Sequence, residues 1–511
     1  MDGPHADVHT LFDALSAWAT ATPDAPALLA PGRAPVSYRE LHDAVDRLAT
    51  ELRARGLSRH DGIAVLMPEG PDYAVAMLAA ISVGVAVPLT WPTPPAEYRR
   101  PLASGRVHAV LVGDGIRSTE FDLPQTDVLW LPLASDSAGR LHVGGDASRR
   151  SDTVPAPTPL PSDTALILQS SGTTGRPKLV PVTHRAIAST CNALIAGRGL
   201  TPADRCLNPV KLAYAQGFYA LAIPIAAGAA LISIPELDFD ALPQWLGELA
   251  PTYLTATPGL LRLLAAQRDD VRSALRQAPL RCINCTAGAL SPGEIVDLQS
   301  LFGAPILNLY GMTEAAAIAS EVHEGGSRVP GSVGLPWCDV QILDQDLQSL
   351  PATERGEIVV RSPRVAACYI DDAEATAAAF LPGGWFRTGD IGRLDHNGYL
   401  YLTGRLGEVI NRGGEKISPV EIDDLLRRHP AVADAAVFAV VDERLGEDIV
   451  AAIALREGMS VSPRAMRTWL AARVAQFKAP RRIWFVQALP RTPTGKVQRG
   501  ELARRWAEER R

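Results

Sequence analysis

The sequence predicts an α/β protein of more than one domain, and three observations carry that prediction. At 511 residues the chain exceeds what one hydrophobic core supports. Strand-like apolar runs alternate with amphipathic helical stretches through roughly the first 330 residues, the pattern of doubly wound layers. Beyond them the texture changes to short strands punctuated by turns, as in "VQILD", "GEIVVRS" and "GYLYLTGR".

The elements follow in order. "YRELHDAVDRLATELRARG" (38–56) has helical spacing and ends at Gly56. "IAVLM" (63–67), "HAVLVG" (108–113) and "ALILQ" (165–169) read as strands, and so do "ALISI" (230–234), "YLTAT" (253–257), "LRCINC" (280–285) and "PILNLY" (305–310). "ALPQWLGELA" (241–250) is a further helix. The span 118–162, rich in Pro, Ser, Asp and Gly, reads as surface connections or a peripheral meander. "SPVEIDDLLRRHPAVADAAVFAVVDERLGEDIVAAIAL" (418–455) reads helix, strand, strand, within a small α+β unit whose boundary falls near Gly404–Gly407. The division is therefore 1–404 and 405–511.

The totals narrow the class. "YAVAMLAAISVGVAVPL" (73–89) and "GFYALAIPIAAGAALISIP" (217–235) are apolar enough to suggest membrane spans. Each has a glycine about two-thirds along and β-branched residues after it, which predicts helix, turn and strand instead. "MDGPHADVHT" lacks the basic start and apolar stretch of a secretory signal, so a cytoplasmic protein is expected. Six scattered cysteines form no disulfide framework, and the pair Cys282 and Cys285 reads as core rather than as zinc or redox chemistry. The net charge of −6 hides an asymmetry: from Gly404 onward 20 basic residues face 14 acidic ones. Within 464–511 the balance is 13 to 3, without the interleaved aromatics of a nucleic-acid surface. A small polyanion or a solvated face suits that excess, and no nucleic-acid partner is expected.

"QSSGTTGRPKLVP" (169–181) concentrates hydroxyls, glycines and a lysine between a strand pattern and the helical pattern "THRAIASTCNAL" (183–194). Backbone N–H groups, hydroxyls and an ammonium on a glycine-rich loop suit a polyphosphate. The spacing is not that of a Walker A loop, because Pro177 follows Gly172 by five and Lys178 is not followed by Ser or Thr.

Six further motifs follow in order: "YGMTE" (310–314), "GSVGLP" (331–336), "GWFRTGD" (384–390), "GYLYLTGR" (398–405), "NRGGEKISPVEI" (411–422) and "LPRTPTGKVQR" (489–499). With the loop they run nearly the whole length, and on them the chain resembles the adenylate-forming superfamily of acyl-CoA synthetases, adenylation domains and luciferases. It is most similar to the acyl-CoA synthetases. The resemblance implies a large N-terminal domain of two doubly wound sheets plus a β-barrel-like subdomain, with a small mobile α+β C-terminal lid.

It also implies ATP, Mg2+ and coenzyme A as cofactors and a small carboxylic acid as substrate. Ser170, Ser171, Gly172, Thr173, Thr174, Gly175 and Lys178 would hold the β- and γ-phosphates. Thr313 would lie at the α-phosphate and Glu314 would bind Mg2+. Asp390 would accept from the ribose hydroxyls beside Arg405, while Gly288, Ala289 and Tyr310 would border the adenine. Lys496 would swing in to the α-phosphate and the incoming carboxylate. Gly413 and Gly414, with "QFKAPRRIWF" (476–485), would pass the pantetheine arm. Pocket positions carried over are Tyr214, Gly217, Ala287, Gly288, Gly311, Met312 and Ala316, whose small, apolar character suggests room for an aryl, alicyclic or medium acyl group.

Two positions depart from the family pattern. Tyr214 stands where many acyl-CoA synthetases carry histidine, and Gly407 stands at the lid hinge where Asp or Lys is usual. No acidic residue in "NPVKLAYAQGF" (208–218) awaits an ammonium, which disfavours α-amino acids. Lys211 either pairs with a second carboxylate or faces solvent. The implied function is an ATP- and Mg2+-dependent carboxylate–CoA ligase. The alternatives are an enzyme loading a carrier protein's phosphopantetheine, or a family member specialised for one half-reaction.

Overall fold

The computed structural model describes residues 10–92, 98, 101–102, 106–116, 128–135, 141–144, 158–170, 178–288, 290–323, 328–413, 415–442, 444–492 and 495–509. Two largely parallel sheets form the body. In the first, strands Pro26–Leu29, Ala230–Ser233, Arg205–Asn208, Tyr253–Ala256, Cys282–Cys285 and Ile306–Met312 run parallel, and Ala316–Ser320 joins as an antiparallel neighbour. The second has Leu129–Ser135, Val107–Val112, Gly62–Leu66, Val85–Leu89 and Thr164–Ser170 in parallel order. Helices pack between and over these sheets, so the strands read as continuous apolar runs.

Both suspected membrane segments resolve as expected. Pro71–Val83 is a helix, Gly84 a turn and Val85–Leu89 a strand; Ala215–Ala227, Gly228 and Ala230–Ser233 repeat the scheme. Among the described residues no helix is long and apolar enough to cross a membrane. Cys282 and Cys285 are buried free thiols in one parallel strand, and burial pushes Cys285 up to about 12.

Two expectations need correction. The stretch after the glycine-rich loop does not enter a helix directly. Lys178–Thr183 first forms a strand antiparallel to Thr164–Ser170, pairing Ser170 with Lys178. The helix His184–Arg198 starts only after Thr183, whose hydroxyl accepts from the Ala186 amide. The β-branched "LVPVT" prefers a strand, and the strand buries Leu179, Val180 and Val182. Likewise Leu129–Ser135, inside the supposed peripheral meander, is a true sheet strand parallel to Val107–Val112, with Leu131 and Leu133 buried.

A third sheet is antiparallel and stands where the barrel-like subdomain was expected. Asp339–Leu343, Gly356–Arg361, Trp385–Leu394 and Leu400–Arg405 pair in sequence around a core of Ile358, Val360, Phe386 and Leu400. The C-terminal unit is a fourth sheet. Its long hairpin, Val432–Asp442 with Gly446–Leu455, buries one face under helices Pro419–Arg427 and Pro463–Ala471 and the other under helix Arg499–Glu508. Arg499 fastens this unit from inside: it donates to Glu408 Oε2 at 2.9 Å, the Val437 carbonyl at 2.8 Å and Asp423 Oδ2 at 2.7 Å.

Candidate active site

The ribose-side expectations meet at a register fact. In the third sheet Asp390 lies directly opposite Arg405, so neighbouring strands bring the two side chains together. Arg405 Nε sits 2.8 Å from Asp390 Oδ1, and the Tyr310 phenol donates to Asp390 Oδ2 at 2.8 Å. Burial and then the Asp390 charge raise the Tyr310 phenol well above its ordinary value, so it stays a donor. Against the cost of burial, Asp390 and Glu408 hold the Arg405 guanidinium above its usual range. Each carboxylate oxygen thus has one partner and keeps lone pairs for a ligand hydroxyl.

Thr313 and Glu314 occupy the tight turn between strands Ile306–Met312 and Ala316–Ser320. The strands approach closely at Gly311, where a Cβ would stand 2.1 Å from the Ala316 carbonyl oxygen. Ala316 closes the turn at φ 49, and Ala287 holds φ 67 in the loop after Cys282–Cys285. Left-handed backbone at two alanines is stored strain, which concentrates where a site overrides local preference. Glu314 is only 6% exposed; its Oε1 accepts from the Tyr369 phenol at 3.1 Å, while Oε2 takes part in no hydrogen bond among the described residues. Lys178 Nζ stands 4.3 Å from the centre of the same Tyr369 ring. Burial and then Glu314 raise the Tyr369 phenol above its ordinary value.

Lys496 arrives from the other unit. Its loop is tightly formed: the Thr492 amide donates to the Lys496 carbonyl at 2.7 Å, and Gly495 takes φ 84. A Cβ at Gly495 would stand 3.5 Å from Thr257 Oγ1 of the body, so the loop reaches across the cleft. Lys496 keeps an exposed surface, yet the surrounding walls desolvate it. That burial, and then the Arg405 guanidinium, hold its ammonium below the ordinary lysine value, while Asp390 and Glu314 pull the other way. Residues about 90–180 positions apart in sequence therefore share one electrostatic site.

The acyl-side expectations look different. Tyr214 stands at the N-cap position of the helix Ala215–Ala227, and both it and Glu69 act electrostatically on Tyr73, a neighbourhood the sequence did not announce. Glu69 Oε2 accepts from the Leu212 amide at 3.0 Å, and its Oε1 is buried without a partner among the described residues. Burial pushes Glu69 up to about 7 against the Leu212 amide and the Lys211 charge. Gln216 Nε2 is likewise buried and unpartnered. At Gly217 a Cβ would fall 2.0 Å from the Lys211 carbonyl oxygen. The missing side chains at Gly217 and Gly311 are thus filled by neighbouring backbone, so glycine there does not measure free acyl space. Gly288 is closer to ordinary contact, with a Cβ 3.2 Å from Pro258.

Elsewhere, the Gly413 amide donates to the Leu445 carbonyl at 2.8 Å. Arg412 donates to the carbonyls of Phe477 and Ala479 at 2.6 Å and 3.2 Å, which ties it to the stretch "QFKAP". Gly407 lies in the single 3-10 turn Leu406–Glu408. Ser171, Gly172, Thr173, Thr174, Gly175, Ala289 and Gly414 lie outside the described residues.

The residues present fit a magnesium nucleotide. Ser170 Oγ is buried with no partner among the described residues, and Lys178 opens the returning strand. Among the described residues no three His, Cys, Asp or Glu side chains gather as a metal cage, so a divalent cation at Glu314 would complete its shell with phosphate oxygens and water.

Fold and site together define a nucleotide-handling enzyme of two parts, with a body carrying acidic ligands and a small unit presenting a lysine. The comparisons with known proteins make the class specific. The chain matches the AMP-binding enzyme family over residues 15–370 and that family's C-terminal domain over 421–496. It belongs to this family of adenylate-forming enzymes, on the acyl-CoA synthetase side. An oxalate–CoA ligase of Arabidopsis thaliana is 33% identical over 519 residues, covering 98% of this chain and 100% of the relative. A sulfoacetate–CoA ligase of Cupriavidus necator is 32% identical over 512 residues, covering 96% and 98%. Among solved structures, ATP-bound MatB from Rhodopseudomonas palustris superposes with a TM-score of 0.85 at 25% identity, covering 98% of this chain and 100% of that one.

Proposed function

We propose that the protein is an ATP-dependent carboxylate–CoA ligase that works through an acyl-adenylate. An oxygen of the acid attacks the α-phosphorus of ATP, that O–P bond forms, and the bond to pyrophosphate breaks. The sulfur of coenzyme A then attacks the acyl carbon, and AMP leaves with the bonding pair. The observation that carries this reading is the electrostatic grouping of Lys496 with Arg405, Asp390 and Glu314, because pure nucleotide binding needs no cation delivered from a separate unit. The names of the relatives, CoA ligases of oxalate and sulfoacetate, favour coenzyme A over a carrier protein as acceptor.

Each residue then has a task. Asp390, oriented by Tyr310 and Arg405, accepts from the ribose hydroxyls. Ser170 and Lys178 face the outer phosphates, joined by Ser171, Gly172, Thr173, Thr174 and Gly175. Gly288, Ala289 and Tyr310 border the base. Thr313 donates to the α-phosphate, and Glu314 holds Mg2+, which when bound offsets phosphate charge and favours loss of pyrophosphate. Lys496 stabilises negative charge that grows between the attacking carboxylate and the α-phosphate. Tyr214, Gly217, Ala287, Gly311, Met312 and Ala316 surround the acid, and Gly413 with Gly414 guides the pantetheine arm. We divide the chain at 404/405, which falls at the last residue of the strand Leu400–Arg405, with Gly407 as hinge. Free cysteines suit a reducing, cytoplasmic setting.

Acid-dependent exchange of radiolabelled pyrophosphate into ATP tests adenylation, and thioester masses with and without coenzyme A test the acceptor. A broad panel of small acids that supports neither exchange nor thioester, with ATP binding intact, would overturn the ligase reading.

A further inference from the structure

Two opposite charges expected to meet the same triphosphate touch one aromatic side chain, one over its face and the other at its hydroxyl. Lys178 begins the strand that returns from the glycine-rich loop, Glu314 sits in the turn after Ile306–Met312, and Tyr369 meets both. The phenol donates to Glu314 Oε1 at 3.1 Å, and the Lys178 ammonium rests 4.3 Å from the ring centre. Tyr369 is itself 6% exposed and fixed by its backbone, whose amide donates to the Thr376 hydroxyl oxygen at 3.0 Å, and by edge contact with Phe380. Among the described residues neither Lys178 nor Glu314 forms an ion pair. Opposite charges that both touch one side chain, in a partly dry cleft, attract strongly enough to pair if nothing intervenes.

We infer that Tyr369 is a positioning residue that keeps the phosphate-binding lysine and the metal-binding glutamate apart and loaded for their ligands. The ring face offers the ammonium a weak partner that a phosphate easily outcompetes. The hydroxyl occupies one oxygen of the carboxylate and leaves the other for a cation. The inference rests on the proposed roles of Lys178 and Glu314, and it concerns binding, not the identity of the acid.

Calorimetric titration of ATP into the full-length protein, with excess EDTA and again with Mg2+, separates the two contacts. Tyr369→Phe keeps the ring and loses the hydroxyl. Its metal-free ATP affinity should match the wild type, while the gain in affinity from Mg2+ shrinks by roughly tenfold. Tyr369→Leu removes both contacts, so Lys178 falls onto Glu314 and metal-free affinity weakens by about tenfold as well. Adding Glu314→Gln to the leucine variant should restore the metal-free affinity, a rescue that general loosening cannot give. The inference is overturned if the phenylalanine variant retains the full Mg2+ gain, or if the glutamine change rescues nothing. Should the leucine variant fail to fold by circular dichroism, the phenylalanine variant decides alone. Wild-type protein that binds ATP yet exchanges no pyrophosphate would sink the ligase reading and leave this inference standing.

Discussion

The two walls of the cleft are built on opposite plans. On the wall proposed for the nucleotide the two carboxylates are already held by protein: Asp390 by Tyr310 and Arg405, Glu314 by Tyr369. On the wall around 208–217 two polar atoms are left open: Glu69 Oε1 and Gln216 Nε2 are buried and without partners among the described residues. Preorganised groups suit a ligand that never changes, since their orientation is fixed before it binds. Unsatisfied buried groups are costly until something meets them, so they select a ligand that supplies the missing bonds. The difference predicts that substitutions on the nucleotide wall weaken binding of every acid's reaction alike, while those on the other wall change which acid is used.

The largest effect is expected where the lid completes the nucleotide wall. Lys496→Ala should lower the rate of acid-dependent pyrophosphate exchange on the order of 10²–10³-fold, as loss of a positioned transition-state donor does. Thioester formation from a supplied acyl-adenylate should survive, because the lysine is not needed once pyrophosphate has left. Stopped-flow rates of the two halves check this; equal losses in both would make Lys496 a structural residue. The depressed lysine value also sets a pH direction: exchange should fall with rising pH sooner than an ordinary lysine would dictate.

Asp390→Asn comes next. It leaves the Arg405 guanidinium, 28% exposed, without its charged partner and weakens the acceptor proposed for ribose. ATP affinity by titration should drop about 10–100-fold, in line with loss of a charge-assisted bond. The ratio of rates among different acids should stay constant, and a change in that ratio would break the contrast between the walls.

Glu69→Gln tests the opposite wall through stability. The folded chain holds Glu69 at about 7 against an ordinary 4.5. Folded protein thus binds this proton more tightly than unfolded protein, so the contribution is fully present below 4.5 and is lost as pH rises through about 7. The step is on the order of 3 kcal/mol at most. Thermal midpoints at pH 5 and pH 8 should therefore lie closer together in the variant than in the wild type, by several degrees. An unchanged gap would mean that Lys211 already neutralises the carboxylate.

How much of this was legible in the sequence differs between the walls for a physical reason. "GWFRTGD" and "GYLYLTGR" announce Asp390 and Arg405 because both are strand residues at fixed offsets from turns, and pairing in register delivers the contact. The strand and helix boundaries followed periodicity closely, as in Tyr38–Ala54 and Leu242–Leu249. Tyr369 carried no such signal, since a single tyrosine before a helix has no spacing to read, and only the packed structure shows what lies on each side of its ring. Glu69 was silent too: its meaning comes from the Leu212 amide 143 positions away. The glycines misled in one respect. Gly217 and Gly311 suggested open room for an acyl group, whereas the carbonyls of Lys211 and Ala316 occupy that room.

Gly407 has no such neighbour, and it carries the smallest expected effect. A Cβ built there meets nothing within 4 Å, and its φ lies outside the left-handed region. In this orientation of the lid, neither space nor backbone requires glycine. The adjoining Glu408 is already committed to Arg499. Gly407→Asp should thus leave the adenylation rate within about twofold, because exposed substitutions free of packing move stability by only about 0.5 kcal/mol. Any larger effect must arise in a second lid orientation, where the new side chain meets surroundings that differ from these. The thioester step, timed separately with coenzyme A, should therefore move more than the adenylation step. If adenylation slows instead while thioester formation is untouched, the turn at 406–408 is a fixed part of the nucleotide wall and the hinge lies elsewhere.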